Sequence, residues 1–291
     1  MDDRELLKSI KPLIGNTETS DDCAAYDLGN GMLMVSSTDM LHETTDFPQG
    51  MSEFQMGWMS AAVSLSDVAS SGAQPASLLA AVGLDKPERL VPFMEGVCAC
   101  AEKFGAKVSG GDIDSHAEFT VVTTAFGLVS KENYCPRTGA HAGDFICITG
   151  IPGRAQAALD GDKRFLPYLL TPEPQISAGV AAARLGASAM MDVSDGLSLS
   201  LWDLSEASNV RLDIDSAAVP RFDSGEYALS CALFGGGDFG LLFTLPPDVI
   251  ESGLPGAEYT VIGRAAEGCG VYADGKLLER RGFVHTWQNL P

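Results

Sequence analysis

Several short stretches of this chain carry the residue types that hold cations and phosphates. Ser37-Thr38-Asp39 places two hydroxyls and a carboxylate at the end of an apolar run of strand character, where a buried strand would emerge. Asp21-Asp22, Ser66-Asp67, Gly110-Gly111-Asp112 and Asp192-Val193-Ser194-Asp195 recur in similar settings, each at the end of an apolar segment or beside glycines. Two carboxylates about 4 Å apart repel by about 4 kcal/mol at an effective dielectric of about 20. Gathering several is tenable only where cations neutralise them or some stay protonated. Oxygen donors of this kind suit magnesium together with phosphate oxygens, whereas cysteine and histidine ligands for zinc are not grouped. The stretches read as parts of one metal site that binds phosphates, centred on Ser37-Thr38-Asp39.

Each piece also has a plainer reading. Ser60, Ser64, Asp67 and Ser71 recur at helical spacing and form one narrow polar stripe on an otherwise apolar helix. With Val63 beside it, the Asp67 carboxylate is expected near the interior, but a serine-rich wet face would give the same pattern. The glycines at 110 and 111 allow close approach of a ligand to the backbone, with N–H groups facing phosphate oxygens. Gly-Asp is also a common turn. Asp195 or Ser194 would equally cap the helix that follows.

The elements that must position these residues are legible along the chain. Residues 4–14 suggest a short helix. Residues 23–28 and 32–37 suggest two strands around Gly29-Asn30-Gly31, a hairpin signal. A helix is expected over 52–71, ended by Gly72, a strand over 76–84, and a helix over 87–104 with proline at its start. Strands follow at 106–109 and 119–129, so the first half is an α+β layer with helices on one sheet face. Residues 131–143 are polar with proline and glycine, which places a domain boundary there. Beyond it, strands are expected at 145–149, 190–193, 210–214 and 239–245, with helices up to about 185, at 197–207 and at 226–233. A final hairpin is expected near Asp274-Gly275.

At 291 residues the chain has room for two domains of ordinary size. Its formal net charge of -20, from 39 acidic and 19 basic residues, argues against a nucleic-acid binder. An anionic ligand would need divalent cations to bridge acid to acid. The acidic beginning lacks the features of a signal peptide, and no apolar run approaches the roughly 20 residues of a membrane helix. Seven scattered cysteines with no Cys-x-x-Cys pair suggest a reduced, cytoplasmic protein.

Other motifs fail on context. His42-Glu43 has no second histidine at zinc-protease spacing. Asp238-Phe239-Gly240 spells a kinase magnesium triplet without its catalytic loop. A Gly-x-x-x-x-Gly-Lys phosphate loop is missing. His42, His116, His141 and His285 form no motif and read as surface residues.

Taken together, the pieces resemble the thiamine-monophosphate kinase family, part of the ATP-binding superfamily that includes aminoimidazole ribonucleotide synthetase. The resemblance spans nearly the whole chain, in the family's order. It rests on Asp21-Asp-Cys-Ala24, Ser37-Thr-Asp-Met40, Val63-Ser-Leu-Ser-Asp67 with Gly72-Ala-Gln-Pro75, and Gly110-Gly-Asp112. It continues through Arg137-Thr-Gly139 with Gly143-Asp144, Gly150-Ile-Pro-Gly153, Asp192-Val-Ser-Asp-Gly-Leu197, and Gly235-Gly-Gly-Asp238 before Leu241-Leu-Phe-Thr244.

The resemblance implies an α+β, two-domain fold. An N-terminal ferredoxin-like mixed sheet with helices on one face (residues 1–138) would bind ATP and metal and pair into a homodimeric barrel. A C-terminal α/β sandwich domain (residues 139–291) would complete the site. It implies Mg2+ held by Asp22, Ser37, Thr38, Asp39, Asp67, Asp112, Asp192 and Asp195. Asp39, Asp112 and Asp195 would be catalytic, and Gly111, Asp112, Arg137 and Ser194 would lie along the ATP phosphates. The implied reaction converts ATP and thiamine monophosphate to ADP and thiamine diphosphate, with no nucleic acid or membrane involved. The nucleophile would be a phosphate oxygen already ionised at neutral pH, so no general base is required.

Two departures touch the acceptor side. The family's His-Phe after Ser-Thr-Asp is here Asp46-Phe47, and its Gly-Gly-Glu-Asp-Tyr-Glu-Leu is here Gly235-Gly-Gly-Asp-Phe-Gly-Leu241. Gly237 therefore cannot take the role of the family's ligand-contacting glutamate. Asp46 and Trp287 are the expected substrate residues. The alternatives are a superfamily phosphotransferase acting on another metabolite, or a nucleotide-binding protein without turnover. The chain's ending, without a terminal cysteine, does not fit a hydrogenase-maturation relative. The reactive cysteine or selenocysteine with lysine of a selenophosphate synthetase is not seen either.

Overall fold

The computed structural model describes residues 3–15, 21–251 and 258–285. The first half comprises α1 (Asp3–Ile14), β1 (Ala24–Gly29), β2 (Met32–His42), α2 (Glu53–Ser70), β3 (Gln74–Leu84), α3 (Leu90–Lys103), β4 (Lys107–Ser115) and β5 (Thr120–Ser130). The five strands order as β1-β2-β5-β3-β4, with only β3 and β4 parallel to each other. The sequence pattern locates every one of these elements but ends two of them early. β2 continues to His42 and β4 to Ser115, so Ser37-Thr38-Asp39 and Gly110-Gly111-Asp112 lie within strands rather than beyond them.

Helix α2 sits at the centre. Ser52 and Gln55 close its start reciprocally, the Ser52 hydroxyl accepting from Gln55 N and Gln55 Oε1 accepting from Ser52 N. Most of its length from Met56 to Ser70 is buried, Ser60, Ser64, Ser66 and Ser70 included, so the serine stripe is not a wet face. Against α3 it crosses at two glycines. A Cβ on Gly57 would fall 1.9 Å from Phe93 O, and one on Gly96 1.9 Å from Phe54 O. Only glycine lets the two backbones come this close.

The second half comprises β6 (Phe145–Ile148), α4 (Arg154–Leu159), α5 (Leu166–Leu170), α6 (Ile176–Arg184), β7 (Ala189–Val193), α7 (Leu197–Ser208), β8 (Arg211–Ile214), α8 (Glu226–Phe234), β9 (Gly240–Leu245), α9 (Pro247–Glu251), β10 (Thr260–Ala266), β11 (Gly270–Ala273) and β12 (Lys276–Leu277). Its seven strands order as β12-β11-β8-β10-β6-β9-β7, leaving β7 at one end of the sheet. Helix α2 packs on β2 and β5 on one side and on α6 and β7 on the other. One apolar core therefore runs from Leu65 and Val82 through Val180 and Met190 to Phe243. A second core, with Leu197, Leu204 and Leu212, lies beneath α7. No helix among the described residues is long and apolar enough to cross a membrane.

Candidate active site

Three carboxylates meet where α2 faces β7. Asp22 comes from the stretch before β1, Asp67 from α2 and Asp192 from β7, and their oxygens lie within 4.8 Å of one another. Serine hydroxyls hold the carboxylates. Ser37 donates to Asp67 Oδ2, Ser66 to Asp192 Oδ2 at 2.6 Å, and Ser64 to Asp39 Oδ2 at 2.7 Å. Burial pushes Asp67 well above the usual carboxylate range, and the charges of Asp39, Asp192 and Asp22 add to it. Burial does the same to Asp192, reinforced by Asp22, and raises Asp39 with Asp22 again contributing. Carboxylates forced this close in a dry place call for positive charge. A donor set of oxygens alone fits a magnesium ion, with Asp22, Asp67 and Asp192 as the holding residues.

Arg137 supplies part of that charge. One guanidinium nitrogen pairs with Asp22, and its backbone N–H donates to Asp21 Oδ1 at 3.3 Å. Its Nε is buried with no hydrogen-bond partner among the described residues. A buried guanidinium N–H without an acceptor costs free energy until something anionic arrives.

Asp39 also reaches the wall of a cavity of about 640 Å³. On one side stand Asp46 and Phe47, and on the other Ser194, Asp195, Phe234, Gly237 and Phe239. The Ser194–Asp195 turn is pinned by neighbours on both sides. Gly237 N donates to Ser194 O at 2.7 Å, and Phe283 N donates to Asp195 O at 2.9 Å. Neither Ser194 nor Asp195 caps α7, whose first turn begins at Gly196 with no side-chain cap. Asp195 instead pairs with Arg4 of α1 at 3.3 Å, and Arg4 also reaches Asp203 at 3.1 Å.

Other expected residues lie apart from the cluster. The Thr38 hydroxyl bonds to Thr124 Oγ1 at 3.0 Å on the open face of the sheet, away from Ser37 and Asp39. Asp112 pairs through Ala81 and Val122 with Met40, which puts it on that open face too, three strands from β2. One chain therefore does not bring Asp112 to Asp39. Gly111 answers to its neighbour strand first, since a Cβ there would fall 1.7 Å from Ala80 O. Asp46 lines the cavity, but its Oδ2 accepts from His42 N at 2.7 Å and Thr45 Oγ1 at 2.8 Å, holding its own loop. Trp287 lies outside the described residues.

The sequence pattern names Ser66 only as the neighbour of Asp67 in the Ser66-Asp67 stretch, and its hydroxyl lies off the stripe Ser60, Ser64, Asp67 and Ser71. That pattern read His285 as a surface residue, and His285 is exposed, though the cavity it lines was not legible. His285 lines the cavity beside Phe283, the two rings edge to face at 4.9 Å. The helical spacing could have found Ser66, but nothing local marked His285.

Residues 20–129 match the family model described as AIR synthase related protein, N-terminal domain. The thiamine-monophosphate kinase of Methanospirillum hungatei is 45% identical over 99% of this chain and 100% of its own length. That of Archaeoglobus fulgidus is 39% identical, covering 98% of each chain. Among solved structures, AaThiL complexed with AMPPCP and TMP superposes with a TM-score of 0.89 at 26% identity, over 98% of this chain and 97% of that one. The hydrogenase maturation protein HypE of E. coli superposes at 0.69 with 19% identity, over 99% and 98%, a likeness of fold alone.

Proposed function

The chain belongs to the thiamine-monophosphate kinase family, and on that premise we infer that it transfers the terminal phosphoryl group of ATP to thiamine monophosphate, yielding thiamine diphosphate and ADP. The observation that carries this reading is the trio of Asp192, buried, with Asp22 and Asp67, half-buried, beside Asp39, which itself opens onto the 640 Å³ cavity. Metal and phosphate chemistry on one side thus adjoins room for an organic acceptor on the other.

The acceptor's phosphate oxygen is ionised at neutral pH, so the protein has no proton to remove before attack. Its work is to bring two anions together. Asp22, Asp67 and Asp192 would hold magnesium, with Asp39 and Asp195 at the cavity side. When bound, magnesium supplies charge neutralisation and orientation of the phosphate oxygens. Arg137 offers its unpartnered Nε to a phosphate oxygen while Asp22 holds the rest of its guanidinium. The Phe47, Phe234, Phe239 and Phe283 rings give the cavity an apolar wall suited to a flat heteroaromatic body. Asp46 offers that body a carboxylate.

We take residues 1–138 and 139–291 as the two domains. We also take the working form to be a homodimer joined through the open face of the five-stranded sheet. That face carries exposed apolar side chains among polar ones, with Tyr26 50%, Met40 57% and Leu128 41% exposed in the single chain. Two sheet edges are free to pair. β2 runs past the end of β1, whose register stops at Ala24 opposite Ser36, and β4 ends the sheet. Pairing the Ser37–His42 edge of one copy with β4 of another would close a barrel and lay the strand that carries Asp112 beside the strand that carries Asp39. The seven cysteines are all unpaired, in keeping with a cytosolic setting.

The direct test incubates purified protein with Mg-ATP and thiamine monophosphate and quantifies both products by chromatography. Equal amounts of thiamine diphosphate and ADP are expected. ATP binding without thiamine diphosphate would point to a different acceptor, and the Asp46 loop and Gly237 would be where to look for it.

A further inference from the structure

Helix α2 carries buried serines that use their hydroxyls in two ways. A hydroxyl inside a helix has its own backbone within reach, and Ser60 takes that option, donating to Met56 O at 2.7 Å. Ser70 does the same toward Asp67 O at 2.8 Å. Ser64 and Ser66 turn away from their helix to carboxylates on other elements. Ser66 is the more consequential of the two, because its partner Asp192 belongs to the other sheet.

The Ser66–Asp192 bond is 2.6 Å long, and Ser66 is fully buried. It commits Oδ2 of Asp192 to the hydroxyl. Oδ1 makes no hydrogen bond among the described residues, so it is the oxygen left for the cluster with Asp22 and Asp67. The main chain of Asp192 is held as well: its N–H points to Asp22 Oδ2 at 3.4 Å, and its carbonyl accepts from Ser200 Oγ at 3.2 Å. Among the described residues β7 pairs with a single strand, β9, and both α2 and α7 pack against it.

We propose that Ser66 is a positioning residue for the cation site: it fixes the rotation of the Asp192 carboxylate and thereby the presentation of one oxygen toward Asp22 and Asp67. The proposal rests on the reading of those three carboxylates as a cation site. A hydroxyl that orients a metal carboxylate affects affinity although it never touches the ion.

The test titrates Mn2+ into the nucleotide-free protein and follows the loss of the free-ion electron paramagnetic resonance signal. The parent chain, Ser66→Ala and Ser60→Ala are compared, with melting temperatures taken in chelator. Ser66→Ala should weaken Mn2+ binding by about tenfold to a hundredfold while melting within a few degrees of the parent. Ser60→Ala, at an equally buried serine of the same helix, should bind Mn2+ as the parent does. Unchanged Mn2+ affinity in Ser66→Ala, or equal losses in both variants, would overturn the proposal. No Mn2+ binding by the parent would instead overturn the cation-site reading beneath it.

Discussion

Asp39 and Asp112 stand on opposite faces of the five-stranded sheet, three strands apart. Asp39 pairs across to Thr123, Ala80 and Gly111 on the helix side, and Asp112 to Ala81, Val122 and Met40 on the open side. Strands lie about 4.8 Å apart, so some 14 Å separates the two rows before the sheet's thickness is added. Two residues with one expected task are thus kept apart within a chain.

Complementation tests this relationship. Asp39→Asn and Asp112→Asn homodimers should each be inactive. Mixed after reversible dissociation, they should recover about a quarter of parental activity, because in the proposed dimer each hybrid would contain one intact site. Recovery of nothing, with hybrid dimers verified by mass spectrometry, would place both residues in one chain's site.

Asp39→Asn alone should lower kcat by at least about a hundredfold, the scale of weakening the hold on a cation that would neutralise the transferring phosphate. Its melting temperature in chelator should match or exceed the parent's, since burial already raises the Asp39 carboxyl and the amide carries no charge to desolvate. Near-parental turnover at saturating magnesium would count against the assignment.

Gly111→Ala should destabilise the chain by about 3 kcal/mol or more. The new methyl would fall 1.7 Å from Ala80 O, a backbone atom that cannot step aside without unpairing β3 from β4. Chemical denaturation measures this. A variant as stable as the parent would show that the two strands can separate locally.

Asp238 gives a pH prediction away from the metal cluster. Its carboxyl accepts from Gly153 N at 2.6 Å and Ala155 N at 3.0 Å, yet burial raises it to about 6. A raised carboxyl favours the folded state when protonated, so its penalty is absent below about pH 4. That penalty grows as pH rises toward 6 and is complete above it. A change from 3.8 to about 6 corresponds to about 3 kcal/mol. Asp238→Asn should therefore gain stability relative to the parent as pH rises from 4 to 7, read from urea midpoints. A constant difference across that range would reject the shift.

The sequence located the carboxylates better than it located the strands around them. Asp22, Asp67 and Asp192 are marked by their apolar flanks, and the alternation in 120–130 fixes which side of β5 is buried. The ends of β2 and β4 were not legible, because a strand read from apolar residues stops where polar ones begin. Ser37 and Asp39 continue their strand because Asp67 and Ser64 satisfy them across the gap to α2. β4 is exposed along nearly its whole length, so no alternation betrays it. The place of His285 depends on how Phe283 is tied to Asp195, a contact between residues nearly ninety positions apart.

The separation of positions 22, 67 and 192 also sets an order of assembly. A chain leaving the ribosome exposes Asp22 and Asp67 while Asp192 is still more than a hundred residues from being made. Until β7 arrives, Ser66 has no carboxylate to hold and one flank of α2 lies bare, a sticky surface for a chaperone to cover. At the proposed cation site, capture of an ion would therefore wait until both halves have folded and met.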